Sequence, residues 1–445
     1  MTPDPRKKLG FITLGCQMNK HDSEWIAGVL SGDYQVTEDF TKADLLVINT
    51  CAVRGKAEQK FASLLGRLRP LKAKKKDMII AVAGCVAQEQ GEALARRAPM
   101  VDIIFGPRTI GRAAQLLEKF HRTGRTVVDV SGGGDFGEYP MRRESAVCAW
   151  VSIIQGCDNF CSYCIVPHTR GRERSRRPET IVSEARDLAA RGFREITLLG
   201  QNVNSYGKGL EETADFPTLL EMLNAVEGID RIRFITSHPK DLSDRLIGAM
   251  ADLGKVCPYL HLPLQSGSDR ILALMNRGYT ASEYFAKVDR LRQRVPGVSL
   301  TSDIIVGFPG ETDEDFEMTA QAVERADYDN IFLFKYSPRP GTAAAQLPGE
   351  VDEKIVGERF SRILALQDKI GERICRGWIG KSAPVLVEGP SKKDPSKSAG
   401  RTPENILVHF QSENDYTGQI IHVKIVSAGR YSLEGRLDYN IPAGP

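Results

Sequence analysis

The chain has little of several things, and each shortage excludes a class of protein. Nowhere among its 445 residues is there a run approaching the roughly 18 apolar side chains that mark a membrane helix. Its opening, "MTPDPRKK", lacks the apolar core of a secretory signal, so a cytoplasmic protein that needs no membrane is expected. Net charge is scarce, with 60 Lys and Arg against 57 Asp and Glu, so overall charge points to no polyanionic partner. Nine cysteines are too few for a disulfide scaffold of this length, and an odd total cannot pair completely. What remains is an ordinary globular composition, 41% hydrophobic and 26% charged, on a chain too long for one core. Two or three domains are expected.

From residue 9 to about 122, short apolar runs alternate with helical patterns. "LGFITL" (9–14), "DLLVINT" (44–50), "MIIAVAG" (78–84) and "VDIIFG" (101–106) read as buried strands. Phe61, Leu64, Leu65 and Leu68 recur at helical spacing between them. A βαβ series of this kind predicts an open parallel sheet. Cys16, Cys51 and Cys85 each stand directly after one of these strands. In an open parallel sheet the carboxyl ends of the strands share one edge, where ligands bind, so the three thiols can converge. The plainer alternative is three small buried cysteines.

Around residues 124–142 the sequence "SGGG" followed by Pro140 signals an irregular linker. Beyond it come six more strand candidates, at 150–154, 195–199, 231–236, 259–264, 300–306 and 330–336, with amphipathic segments between. Six βα units predict a partial parallel barrel with its chemistry at the C-terminal strand ends. Small and polar residues gather there: "GQN" (200–202), "SHP" (237–239), "QSGS" (265–268), "GFPGE" (307–311) and "SPRPGT" (337–342). From about residue 376 the pattern turns to brief strands, "APVLVEG", "NILVHF" and "QIIHVKIV", as in a five-strand OB-like barrel. Such barrels commonly bind oligonucleotides, although the fold alone does not fix a ligand.

Directly after the first barrel strand lies "GCDNFCSYCIVPHTRGRER", with Cys157, Cys161 and Cys164 in a C-x3-C-x2-C array. A thiol cluster this tight in a reducing compartment is a metal site. Zinc would close four positions, with His168 as the fourth ligand, although this spacing differs from the usual paired C-x2-C halves. The other reading is a 4Fe-4S cluster with one iron left open to a substrate or cofactor.

That array resembles the signature of the radical S-adenosylmethionine (SAM) enzymes. "GCQMNKHDS", "INTCAVR", "GCVAQ", "LLGQNVNSY", "HLPLQSGSDR", "DIIVGFPGET" and "SAGRTPEN" extend the resemblance over nearly the whole chain, to the methylthiotransferase family. Gln17 and Met18 of "GCQMN", with "GQNVN" at 200–204, are most similar to its tRNA 2-methylthio-N6-dimethylallyladenosine synthase branch rather than the branch that modifies a ribosomal-protein aspartate. The resemblance implies an N-terminal cluster domain (6–123), a linker (124–142), a radical SAM core (143–375) and an RNA-binding TRAM domain (376–440). It further implies two 4Fe-4S clusters, one on Cys157, Cys161 and Cys164 that binds SAM and a second on Cys16, Cys51 and Cys85. Tyr163, Gly200, Gln201, Gln265, Ser266, Gly307 and Pro309 become the expected SAM contacts. The substrate implied is isopentenylated adenosine beside the tRNA anticodon, modified by a monomer supplied by a low-potential donor such as flavodoxin or ferredoxin. His168, where an aromatic is common in this branch, and Arg177, which lengthens the basic run, depart from the pattern without touching a ligand cysteine. A methylthiotransferase with another substrate, and a non-catalytic zinc and RNA-binding protein, are the competing readings.

Two basic stretches suit RNA. Arg170, Arg172, Arg174, Arg176 and Arg177 crowd past the cysteine array, opposed by Glu173, and are expected at the phosphates. Lys60, Arg67, Arg69, Lys72, Lys74, Lys75 and Lys76 form the second, for which a solvated face is the simpler reading.

Overall fold

The computed structural model describes residues 6–52, 55–132, 141–210 and 214–439; Gly133, Gly134 and Pro140 of the expected linker lie outside them. The chain folds into two compact units, one of Met1–Glu144, Ile154–Asp158 and Cys164–Arg176, the other of Ser145–Ile153, Asn159–Tyr163 and Arg177–Pro445.

Six parallel strands build the first unit: β1 (Lys7–Thr13), β2 (Tyr34–Val36), β3 (Leu45–Thr50), β4 (Ile79–Gly84), β5 (Ile103–Phe105) and β6 (Val127–Asp129), in the order β2-β1-β3-β4-β5-β6. Every residue of β3 and β4 is buried, which is why both are continuous apolar runs in the sequence. Alternate side chains serve opposite faces. Leu46, Ile48, Ile80 and Val82 pack with Phe61, Leu64 and Leu68 of α2 (Gly55–Lys74), whereas Leu45, Val47, Ile79 and Ala81 pack with Trp25 and Ile26 of α1 (Gln17–Val29). Helix α3 (Cys85–Arg97) joins the first face and α4 (Ala113–Thr123) the second, through Leu94 and through Leu116 and Leu117. The sequence pattern finds four of the six strands; β2 and β6 each bury only one of three residues and so give no continuous apolar run, whereas the equally short β5 is buried throughout.

The second unit starts with β7 (Cys148–Ser152). Here the chain contributes to the first unit β8 (Ile154–Gln155), α5 (Val166–Arg170) and β9 (Arg174–Ser175), with β8 and β9 paired antiparallel. It then continues the second unit with β10 (Glu195–Leu199), β11 (Arg231–Phe234), β12 (Tyr259–His261), β13 (Ser299–Val306) and β14 (Asn330–Lys335). The ladders are parallel, in two runs, β11-β10-β7 and β12-β13-β14, and a bridge from Ile232 to Val256 leads from one toward the other. Five of the six strands fall within or within one residue of the segments expected from sequence, and β7 lies two residues earlier than the expected 150–154.

A 24-residue helix, Glu353–Arg376, leads into a closed barrel of β15 (Ser382–Pro390), β16 (Lys397–Arg401), β17 (Leu407–Gln411), β18 (Ile420–Ala428) and β19 (Ser432–Leu437), filled by Val385, Val387, Val408, Phe410, Val423 and Leu433. Two buried arginines of β11 tie it to the parallel strands. Arg231 donates to the carbonyls of Pro384 (3.0 Å) and Arg401 (2.6 Å), and Arg233 to those of Thr402 (2.7 Å) and Pro403 (2.6 Å) while pairing with Glu195 at 3.0 Å. The "SAGRTPEN" motif therefore anchors the barrel through its own backbone. Among the described residues no helix is long and apolar enough to cross a membrane.

Candidate metal centres

In the first unit, β1, β3 and β4 are neighbours, with Thr13 opposite Asn49 and Thr50 opposite Gly84. Cys51 and Cys85 each follow one member of that last pair, and Cys16 caps α1 three residues beyond β1. The topology thus delivers all three thiols to one edge. Gly84 lets the chains close in: at φ +93° a Cβ there would lie 2.3 Å from the Thr50 carbonyl oxygen. A Cβ on Gly15 would meet Cys51 Cβ at 2.5 Å, which sets the Cys16 turn directly against Cys51.

Two buried asparagines orient this edge. Asn19 Oδ1 accepts from Cys16 N and Sγ at 3.4 and 3.3 Å, while its Nδ2 donates to Asn49 Oδ1 and the Thr50 carbonyl, both at 3.0 Å. Asn49 Nδ2 returns bonds to the Asn19 carbonyl (2.7 Å) and Ser23 Oγ (3.1 Å). Both residues stand inside the recognised motifs, but a motif does not say which of its members grip the turn.

Arg170, at the end of α5, is 4% exposed and donates to Asp22 Oδ2 at 2.6 Å, with Asp22 equally buried. Its charge bears on the thiols. A hydrogen bond with Cys51, joined by Arg170, pulls Cys16 down to about 6, whereas burial pushes Cys85 up against the pull of the same guanidinium. For Cys16 the shift runs toward the thiolate, the form that binds metal. Burial, with the nearby charges of Arg143, Arg176 and Arg170, keeps His21 neutral.

Separate stretches of the C-x3-C-x2-C loop have their own fixed points within each unit, all of them from later in the sequence. In the first unit, Cys157 N donates to the Gly171 carbonyl (3.2 Å), and Asp158 Oδ1 accepts from Glu173 N (3.1 Å) and Arg172 Nε (2.9 Å). In the second, residues 159–162 are held by 274–277. Ser162 donates through N to the Met275 carbonyl (3.0 Å) and through Oγ to that of Leu274 (2.7 Å), and Asn276 Nδ2 donates to the Asn159 and Phe160 carbonyls at 3.4 and 3.0 Å. Arg277 Nη1 donates to Cys161 Sγ at 3.3 Å. Tyr163 packs on Ile271, Met275 and Phe308.

The other expected SAM positions lie on strand exits. Gly200 and half-buried Gln201 follow β10. Gln265 is 7% exposed at φ +74°, and its Oε1 is buried without a hydrogen-bond partner. The hydroxyl of Ser266 is engaged with Thr319 Oγ1 (3.1 Å) and Ser268 N (3.2 Å). Gly307 and Pro309 form a buried turn after β13, where Gly307 N donates to Glu311 Oε2 (2.8 Å) and Arg359 neutralises that carboxylate at 2.7 Å.

The arginine run divides. Arg172 and Arg174 are exposed and Arg176 half-buried, but Arg170 faces inward onto Asp22, out of reach of a phosphate. In the lysine stretch, Lys72 and Lys75 pair with Asp102 (2.7 Å) and Asp44 (3.0 Å) at the sheet edge.

Known proteins resemble both regions. The family profile of the radical SAM superfamily matches residues 151–323, and that of an uncharacterised protein family, UPF0004, matches residues 8–106. A tRNA-2-methylthio-N(6)-dimethylallyladenosine synthase of Caldicellulosiruptor saccharolyticus is 48% identical over 436 residues, 97% of this chain and 92% of that protein. The synthase so named from Moorella thermoacetica is 46% identical over 438 residues, 97% of this chain and 98% of that one. This chain belongs to that synthase family. Among solved structures, the radical SAM methyltransferase TsrM of Kitasatospora setae, with cobalamin and a 4Fe-4S cluster bound, superposes with a TM-score of 0.56 at 15% identity, over 76% of this chain and 77% of that one. At that identity the likeness is one of fold.

A radical SAM enzyme carries a 4Fe-4S cluster and SAM, and the residues fit that load. Cys157, Cys161 and Cys164 form no disulfide, Cys161 faces a guanidinium, and Gln265 offers an unused acceptor on the strand exits. Among the described residues no three His, Cys, Asp or Glu side chains are grouped as ligands of a single ion. A cubane takes one thiolate per iron, so its ligands need no such grouping.

Proposed function

We propose that this chain is a radical SAM tRNA methylthiotransferase that inserts sulfur at C2 of isopentenylated adenosine beside the anticodon and methylates it, giving 2-methylthio-N6-dimethylallyladenosine. The observation that carries this reading is near-full-length identity of 46–48% with synthases of that name. Six cysteines in two separate sets support it.

In this reading Cys157, Cys161 and Cys164 hold the SAM-binding cluster, and Cys16, Cys51 and Cys85 a second of the same type. When bound, the first supplies the electron for reductive cleavage of SAM and the second a site from which sulfur is delivered. The protein's share is orientation. Asn19 and Asn49 fix the Cys16 turn, Arg170 balances thiolate charge, and residues 274–277 hold the second loop. Tyr163, Gly200, Gln201, Gln265, Ser266, Gly307 and Pro309 surround SAM, with the Gln265 Oε1 acceptor best suited to a donor on it. Arg172, Arg174 and Arg176 contact tRNA phosphates, and the barrel of 376–440 adds RNA affinity as a TRAM domain beside a cluster domain (6–123) and a radical SAM core (143–375). The enzyme works in the cytoplasm as a monomer, reduced by a flavodoxin or ferredoxin.

Mass spectrometry of tRNA nucleosides from a deletion strain tests the substrate. Loss of 2-methylthio-N6-dimethylallyladenosine with its unmethylthiolated precursor accumulating is expected; an unchanged nucleoside pool refutes the tRNA assignment. Anaerobic metal analysis tests the cofactor, since a colourless protein holding zinc would end the radical reading.

A further inference from the structure

Arg277 is 4% exposed, and its guanidinium is used on every side. Nε donates to Tyr279 Oη at 3.0 Å and Nη2 to the Pro263 carbonyl at 2.9 Å, which fixes the plane and leaves Nη1 aimed at Cys161 Sγ, 3.3 Å away. The Tyr279 ring lies beside it, 5.3 Å from Cζ to ring centroid. Its printed hydrogen-bond partners among the described residues are Tyr279, Pro263 and Cys161, and none is a carboxylate. A cation taken out of water without a counter-ion is strongly unfavourable. The group that can supply the missing negative charge is the Cys161 thiolate and whatever it binds.

The setting is specific. Leu274, Met275, Asn276 and Arg277 each bond to the loop of residues 159–162, the first three at backbone or hydroxyl groups and Arg277 alone at a sulfur. Asn276, at φ +55°, spends its side chain on the loop carbonyls and turns the chain so that the next residue reaches Cys161. Holding the loop and donating to the ligand sulfur are thus separate tasks on adjacent residues.

We propose that Arg277 is a positioning residue that raises the reduction potential of the SAM-binding cluster by donating a charged hydrogen bond to the Cys161 thiolate. This rests on the radical SAM reading and adds to it the residue that makes the cluster reducible. With three thiolates the loaded cluster is anionic, and reduction adds one more negative charge. A fixed cation and N–H donor at a ligand sulfur stabilise the reduced form more than the oxidised one. Lysine could keep the charge but could not span Tyr279, Pro263 and Cys161 at once, because it lacks the planar fork.

The test uses the anaerobically reconstituted full-length protein, wild type beside Arg277→Lys, Arg277→Gln and Asn276→Ala. Each is titrated electrochemically while the electron paramagnetic resonance signal that changes on adding SAM is followed, which selects this cluster. Iron and sulfide are measured on the same samples. The expected result is iron retained in both Arg277 variants with the midpoint moved to more negative potential, further in Arg277→Gln than in Arg277→Lys, and SAM cleavage lost first with the weaker reductant. Asn276→Ala should lower cluster occupancy without moving the midpoint of what remains. An unmoved midpoint in Arg277→Gln, iron lost from both Arg277 variants as in Cys161→Ala, or an equal shift in Asn276→Ala would each overturn the proposal. A wild-type protein with no SAM-responsive cluster would instead refute the functional reading and remove this inference with it.

Discussion

Replacing Asp22 with alanine should destabilise the first unit far more than the loss of one surface ion pair. The carboxylate and the Arg170 guanidinium meet at 2.6 Å with each side chain 4% exposed. At that distance their gross attraction is about 6 kcal/mol for an effective dielectric near 20. Most of this offsets the cost of drying both charges, and burial pushes the Asp22 carboxyl up even with Arg170 beside it. What the alanine leaves behind is a buried guanidinium without its partner, a loss of about 3–5 kcal/mol. Replacing both, as Asp22→Leu with Arg170→Met, should cost much less than either single truncation, because no charge is stranded. Anaerobic urea unfolding reads this through Trp25, on the same helix as Asp22, after Trp150→Phe and Trp378→Phe remove the other two tryptophans. A loss of under about 1 kcal/mol for Asp22→Ala, the range of an exposed pair, would refute the argument.

The two ends of the arginine run should separate cleanly. Arg174→Ala should weaken tRNA binding and lower the salt slope of log Kd by about 1 with iron content unchanged, whereas Arg170→Ala should lower iron content and leave that slope alone. Gly84→Ala should cost at least about 1–3 kcal/mol and reduce the iron held by Cys16, Cys51 and Cys85, since both the left-handed φ of +93° and the Thr50 oxygen at 2.3 Å oppose a Cβ; normal iron in that variant would refute the strand-edge construction. Asp315 supplies a pH test. Burial works against its charge, but hydrogen bonds from Arg270, Ser268 and Thr312 bring the carboxyl from 3.8 down to about 2. A depressed carboxylate stabilises the fold above its unfolded value and loses that contribution as pH falls through the folded one. Asp315→Asn should therefore cost about 2 kcal/mol near neutral pH, and the gap to wild type should close between pH 3.8 and about 2 in cluster-free protein. A gap that stays constant over that window would contradict the assignment.

Which parts of this protein were legible in its sequence follows from what each part depends on. The parallel strands could be read because burial on both faces makes them continuous apolar runs, as in "LLVINT" and "IIAVAG". The meeting of Cys16, Cys51 and Cys85 could be inferred because strand exits of a parallel sheet share an edge, and it required no long-range side-chain contact. The barrel strands β16 and β19 escaped individual notice because "KSAGR" and "SLEGRL" alternate weakly and carry glycines packed against other backbone.

The arginines were the hardest to place, for one reason. Arginine is rarely buried, so an arginine beside an active-site loop is read as exposed and assigned to the substrate. Arg170 contradicts that default through Asp22, which lies 148 residues earlier, and Arg277 through Pro263, Tyr279 and a cysteine 116 residues away. Neither set of partners has a local pattern that could announce it. Each unit thus buries a guanidinium against cysteine thiols, beside Cys16 and Cys85 in the first and at Cys161 in the second. A thiolate set that loads an iron–sulfur cluster accumulates negative charge in a place water does not reach, and a fixed guanidinium balances it with directional donors. Under the proposed function a cluster on each set supplies the counter-charge, met by a direct donor to sulfur at Arg277 and only through space at Arg170, whose donor holds Asp22. Arg172, Arg174 and Arg177 of the same run keep the default and stay exposed.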